Sequence, residues 1–278
     1  MTDLQVSIGT DAPLPNNVQQ QLKRMTSIAE QELIASNRSY FTPHNLRKYW
    51  NGMGHSAQVG RIGNEIALLR RVVTSTSHGP MQTVCEVGMN AGHSATALLE
   101  GLSTTLIEFD MFAFPYSNAV RNELSKRNPG RTRFFQGNSF KEIPRYASNR
   151  VDLGLPLCDA WFVDGDHEAG ANLDLRHALN VSRDGAIIIA DDCSSKHKKV
   201  QNAWRSLINE GHIREHWNVS GSMKGWCVGR FERDEARVAS SNIEVVGRRR
   251  RLPPIEGFTK HYVQGHNYWN QSGQALSH

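Results

Sequence analysis

Two short acidic segments carry the most specific chemistry in this sequence. Asp164-Gly165-Asp166-His167 follows the apolar run Ala160-Trp161-Phe162-Val163, and Asp191-Asp192 follows Ala186-Ile187-Ile188-Ile189-Ala190. If the two apolar runs are neighbouring parallel strands, about 4.8 Å apart, Asp164, Asp191 and Asp192 converge on one point. Three close carboxylates repel one another and burial raises the cost of their charge; a divalent cation relieves both. The donors are oxygens, with no cysteine or clustered histidine beside them, so Mg²⁺, Mn²⁺ or Ca²⁺ is the matching ion. The competing reading has two acids capping the following helices and one facing water. A cation there would hold a substrate hydroxyl in line for attack and lower its pKa. His167, with an ordinary pKa of about 6.5, is the first candidate for general base. Asp166 is another, and His197 and Lys196 come after them.

A second group of candidates lies upstream. Glu86-Val87-Gly88-Met89-Asn90-Ala91-Gly92-His93-Ser94 follows the apolar segment beginning at Thr83. Gly88 and Gly92 permit a tight strand-to-helix turn and close approach to the backbone, and the helix that starts there offers free N–H groups. A dinucleotide loop needs a third glycine to seat a pyrophosphate. The wider G-x-x-x-G suits a nucleoside without phosphate, such as S-adenosylmethionine. Asp110 ends the next strand, where it can accept hydrogen bonds from ribose hydroxyls. Gly137-Asn138-Ser139 follows the third strand, where a polar side chain can meet an adenine edge; its plainer reading is an Asx turn.

The elements that must position these residues read as an alternation. Strands are predicted over 83–87, 105–109, 133–136, 160–163 and 186–190. Helices are predicted over 92–102, 117–127 and 200–210, with Ala171, Leu175, Ala178 and Leu179 marking the buried stripe of another. Short apolar strands between amphipathic helices indicate a parallel sheet covered on both faces and wound right-handedly. Ligands then bind beyond the carboxyl ends of the strands, at the switch point. Residues 212–219 and 225–231 look like a closing hairpin. Ahead of the alternation lie two helices, 18–36 and 59–74, the second with Ile62, Ile66, Leu69 and Val73 on one stripe. Between them runs an aromatic, basic segment containing Tyr40, Phe41, Tyr49 and Trp50, a candidate lid or simply a packed loop.

Composition narrows the function class. The chain has 278 residues, 38% hydrophobic and 21% charged, enough for one large α/β domain with extra elements. No apolar run approaches the roughly 18 residues that span a bilayer, and the N-terminus lacks a signal-peptide layout, so the expectation is a cytoplasmic protein without a membrane partner. Four charges of the net +5 are the consecutive Arg248, Arg249, Arg250 and Arg251 beside Pro253 and Pro254. The rest of the chain is near neutral, which argues against a nucleic-acid footprint. Cys85, Cys158, Cys193 and Cys227 form no CxxC pair; zinc is not indicated and buried, reduced thiols are expected.

The segments 85–94, Phe162–His167 and Asp184–Asp192, with Gly225-Trp226-Cys227-Val228-Gly229-Arg230-Phe231 at the last strand, resemble class I S-adenosylmethionine-dependent methyltransferases. The branch they look most like is that of the macrolide-sugar and aminocoumarin-sugar O-methyltransferases; catechol-type enzymes are more distant. The resemblance covers about residues 60 to 232. It implies a Rossmann-like seven-stranded sheet of order 3-2-1-4-5-7-6 with strand 7 antiparallel. It also implies that Glu86, Gly88 and Ser94, with Asn90 and Gly92 in the same loop, surround the methionine part of the cofactor. Asp110 would bind ribose, Asn138 and Ser139 would lie near adenine, and Asp164, Asp191 and Asp192 would ligate metal, with Asp164 also beside the cofactor. Where this chain has Asn138, the family often has an aspartate.

The resulting expectation is a tail and helical cap over 1–78, a cofactor-binding domain over 79–232 and an extension over 233–278. The activity expected is O-methylation of a small-molecule hydroxyl, a sugar or natural product, leaving S-adenosylhomocysteine. Metal-independent transfer, or an inactive binding protein of the same fold, are the alternatives. A nucleic-acid amino-methylating enzyme is expected to carry an Asn-Pro-Pro-Tyr-like motif after strand four, where this chain has Asp-Gly-Asp-His. The helical N-terminus is a candidate homodimer surface.

Overall fold

Of β1 (Thr83–Val87), β2 (Thr105–Asp110), β3 (Thr132–Gln136), β4 (Cys158–Val163) and β5 (Ser182–Ala190), β3 carries only Phe134 and Phe135 as apolar residues, while the others are built around buried apolar runs. Such runs suit strands covered on both faces. The computed structural model describes residues 14–36, 59–74, 81–168, 170–219 and 225–232. The segment around Tyr40 to Trp50, the arginine run and the C-terminal extension lie outside the described residues. The five strands pair in parallel in the order β3-β2-β1-β4-β5. β6 (Ile213–Val219) and β7 (Trp226–Phe231) complete the sheet as β5-β7-β6, with β7 antiparallel to both neighbours. The order and the reversed strand are those the resemblance implied.

Strand residues alternate between two cores, as the two-residue side-chain period requires. Val84, Leu106, Ala160, Phe162, Ile187 and Ile189 face one way. They meet α1 (Asn16–Ala35), α2 (Val59–Thr74), α3 (His93–Leu99) and α4 (Ser117–Arg127). Cys85, Val87, Ile107, Phe109, Trp161 and Ile188 face the other way. There they meet α5 (Ser139–Asn149), α6 (Gly170–Asn180) and α7 (Lys198–Asn209). Val18, Leu22, Met25, Ala29 and Leu33 of α1 share the first core with the strands, so the N-terminal helix packs as a wall of the domain. None of the described helices is long and apolar enough to cross a membrane.

Two sequence readings change. A helix, α5, lies where the sequence reading placed no element beyond a candidate Asx turn at 137–139; it is capped by Asn138 and contains Pro144. The thiols are not reduced: Cys85 is bonded to Cys158, and Cys193 to Cys227. Each pair joins adjacent segments of the sheet, β1 with β4 and the end of β5 with β7, a proximity that spacing along the chain does not reveal.

Candidate active site

The acids meet because the ladder continues past the strand ends. The Asp164 N–H donates to Val87 O (2.9 Å), and the Asp191 N–H donates to Val163 O (3.0 Å). The first residues beyond β1, β4 and β5 are therefore level with one another. Asp164, Asp191 and Asp192 each offer an oxygen, all within 4.8 Å of one another. Asp191 and Asp192 are only 5% and 4% exposed. Asp192 adopts a left-handed backbone (φ 53°), which an aspartate tolerates better than most residues. Because β7 is antiparallel, its first residue lies beside the end of β5, and the Trp226 indole N–H donates to Asp191 Oδ1 at 2.6 Å.

His167 sits between the carboxylates. Its Nε2 is 3.2 Å from Asp164 Oδ1 and its Nδ1 is 3.1 Å from Asp192 Oδ2. Burial opposes a charge on the ring. The hydrogen bond to Asp164 and the charges of Asp164, Asp192 and Asp191 outweigh burial and hold His167 up to about 9. Asp166 points elsewhere: its oxygens accept from the N–H groups of Glu168 (3.2 Å) and Gly170 (2.7 Å), at the start of α6. Lys196 is exposed. His197 comes within 3.8 Å of Asp192 Oδ1, so the histidines are clustered here, contrary to the reading from spacing.

The glycine loop is built tightly. Gly88 has φ +95°, and a Cβ there would stand 2.2 Å from the Asp164 carbonyl oxygen. Gly92 has φ +74°, and its Cβ would meet Val120 at 2.9 Å and Met25 at 3.0 Å. Asp110 holds the loop: Oδ2 accepts from the Met89 N–H (2.8 Å) and the Asn90 N–H (3.3 Å), and Oδ1 from the Phe112 N–H (2.5 Å). Burial raises its pKa, and these three bonds oppose the rise. The Asn90 side chain accepts from the Tyr116 hydroxyl. Asn138 Oδ1 accepts from the Phe140 N–H (2.9 Å) as the cap of α5.

Behind the loop lies a pair of carboxyl groups. Glu86 and Glu108 are register partners on β1 and β2, and both are fully buried. Burial lifts Glu86 to about 7, with the nearby Glu108 and Ser94 side chains opposing the rise. Burial and the neighbouring Glu86 push Glu108 well above the usual range, so the pair retains a proton at neutral pH. Asp174, also fully buried, is raised to about 7 by burial. The sequence reading named neither Glu108 nor Asp174. Both were visible as acids on apolar stripes, Glu108 within Leu106-Ile107-Glu108-Phe109 and Asp174 between Ala171, Leu175 and Ala178.

Residues 85–193 match a family model described as a methyltransferase domain. The matched segment is similar to methyltransferase domains. It spans β1 to the end of β5 and contains every candidate site residue named above apart from Trp226, Lys196 and His197. Solved structures share the fold of this segment and its flanking elements. One is the O-methyltransferase from Bacillus cereus in complex with SAH: 14% identity, TM-score 0.55, covering 80% of this chain and 94% of that one. Another is the O-methyltransferase TomG from Streptomyces achromogenes, involved in tomaymycin synthesis, in complex with SAM: 14% identity, TM-score 0.52, covering 75% and 90%. No protein of curated function matches the sequence.

Proposed function

We propose that this chain is an O-methyltransferase that moves the methyl group of S-adenosylmethionine to a hydroxyl of a small molecule, a sugar or natural product, with help from a divalent cation. The observation that carries the reading is the meeting of Asp164, Asp191 and Asp192 at the ends of β4 and β5, beside the Gly88–Gly92 turn. The set fits a hard cation: three carboxylates, two of them nearly buried, whose mutual repulsion calls for positive charge. When bound, Mg²⁺, or Mn²⁺ or Ca²⁺ by the same donor chemistry, supplies Lewis acidity toward the acceptor hydroxyl. S-adenosylmethionine supplies an electrophilic methyl on a sulfonium.

The residues divide the remaining work. Glu86, with Ser94 against it, presents a buried carboxyl group to the cofactor's ammonium. Gly88, Asn90 and Gly92 shape the turn, and Asp110 fixes the turn's N–H groups while its remaining lone pairs face the ribose. Asn138 and Ser139 line the adenine side. His167 takes the hydroxyl proton at Nε2, with Asp192 fixing the ring through Nδ1. The carboxylate charges raise His167; with those charges neutralised, the ring returns toward its ordinary value of about 6.5 and is available as a base near neutrality. Asp166 supports this segment by capping α6. Neither a nucleic acid nor a membrane is a partner in this reading, and the site serves a cytoplasmic acceptor.

One observation favours a metal-independent variant: a protonated His167 itself offsets the acids. Methyl transfer from labelled S-adenosylmethionine to a panel of sugars and phenols, with and without EDTA, separates the two. Asp191→Ala is expected to abolish turnover while S-adenosylmethionine affinity stays within a few-fold. Turnover near wild type in that variant, or unchanged in EDTA, removes the cation from the reading.

A further inference from the structure

The His197 backbone is held by bonds to Ser194 O (3.1 Å) and from the Gln201 N–H (3.2 Å), while its side chain makes no hydrogen bond among the described residues. It precedes α7, its side chain does not cap that helix, and its Nε2 stands 3.8 Å from Asp192 Oδ1, beyond hydrogen-bond reach. Its ring nevertheless lies edge-on to His167, with centroids 5.3 Å apart. His167, Asp192 and His197 each present one ligand atom within 4.8 Å of the others. His167 Nδ1 faces Asp192 Oδ2 at 3.1 Å, and His197 Nε2 faces the other oxygen of the same carboxylate.

We propose that His167, Asp192 and His197 form a second cation position, selective for nitrogen-preferring transition metals such as Co²⁺, Ni²⁺ and Zn²⁺, that shares Asp192 with the all-oxygen group. Two ligands at about 2.1 Å from a tetrahedral ion are about 3.4 Å apart; the two rings stand 3.1 and 3.8 Å from the two oxygens of Asp192, one ring to each oxygen. Two imidazoles and one carboxylate are a borderline-soft set that discriminates against Mg²⁺ and Ca²⁺. The two histidine side chains are 31% and 37% exposed, so the ion reaches them from solvent and keeps positions open for water or substrate. Asp192 is nearly buried and supplies the fixed negative charge.

The consequence is a competition between two ion classes. A metal on this triad takes a ring nitrogen of His167 and one oxygen of Asp192, so it removes the proton acceptor and draws a ligand from the Asp164–Asp191–Asp192 group. The same crevice thus distinguishes hard from nitrogen-preferring ions by which side of Asp192 they occupy. The inference concerns metal binding alone and stands whether or not the chain methylates a hydroxyl.

The test is titration of the full chain with Co²⁺, read by visible absorption and by the strongly shifted N–H proton signals of coordinated imidazoles. One Co²⁺ with two imidazole signals is expected. His197→Gln should remove one signal and weaken Co²⁺ on the order of 100-fold, as for loss of a direct ligand, at or above the 10- to 100-fold cost of losing a supporting one. Asp192→Asn tests the carboxylate in the same way. Bound Co²⁺ without imidazole signals, or signals and affinity that survive His197→Gln, overturn the proposal. A parallel Mg²⁺ titration separates the readings: loss of Mg²⁺ binding in Asp191→Ala bears on the proposed function, and the Co²⁺ result bears on the triad.

Discussion

Replacing Gly88 with alanine tests how tightly the glycine turn is pressed against the acidic strand end. The added Cβ would lie 2.2 Å from the Asp164 carbonyl oxygen and 2.8 Å from its carbon, where ordinary contact begins at 3.4 Å. Both atoms are backbone, so relief requires the turn or the β4 end to move by about 1 Å, with overpacking of about 1–3 kcal/mol. The left-handed backbone (φ +95°) adds about 1–2 kcal/mol for any residue with a Cβ. The combined loss is about 4 kcal/mol, a large share of the about 5–15 kcal/mol that folds a domain. At about 2–4 °C per kcal/mol, the melting temperature should fall by about 8–16 °C. Gly130→Ala is the matched control, since it shares a positive φ (+74°) but its Cβ meets nothing within 4 Å. It should lose only the backbone component, about 2–8 °C. Equal losses in calorimetric melts of the two variants would falsify the close approach of residues 88 and 164.

Stability should fall as pH rises from about 6.5 to about 9 in EDTA. Glu86 and Asp174, each raised to about 7 by burial, keep in the folded state protons that the unfolded chain releases, so their contribution declines from about 4 and is gone once pH passes about 7, touching only the lower edge of the window. His167, raised to about 9, contributes fully below its unfolded value and loses that contribution as pH passes 9. His93, lowered to about 4 by burial, works in the opposite direction only on the acid side of about 6.5. Thermal melts across the window check the sign, and Glu86→Gln should flatten the lower part; a rising melting temperature contradicts the assignment. Trp226→Phe removes the indole donor to buried Asp191 and should cost about 2 kcal/mol in urea denaturation, typical of a hydrogen bond to a charged group. A loss below about 0.5 kcal/mol would show that Asp191 does not depend on that bond.

The sheet was legible because its parallel strands, β3 apart, are built around apolar runs ending in glycine or acid, a pattern that survives without knowledge of packing. The convergence of Asp164 with Asp191 and Asp192 followed from strand adjacency alone. α5 was not legible, because Pro144 and a polar first turn hide a helix that burial of Ile143 and Tyr146 sustains. His197 lies thirty residues beyond His167 in sequence, and only the direction of the loop entering α7 brings the rings together. Asp110 and Asn138 lie at the ends of β2 and β3, and their partners are backbone N–H groups of the adjoining turns, a detail that residue type cannot supply. Glu108 shows the reverse case: its isolation within an apolar strand was visible, and its meaning appeared once Glu86 was opposite it.

The most direct measurement is a crystal structure of the chain soaked with S-adenosylhomocysteine and Mg²⁺. The account predicts the nucleoside against the Gly88–Gly92 turn and one ion about 2.0–2.1 Å from oxygens of Asp164, Asp191 and Asp192. A nucleoside bound elsewhere, or those three carboxylates pointing apart with no ion between them, would contradict it.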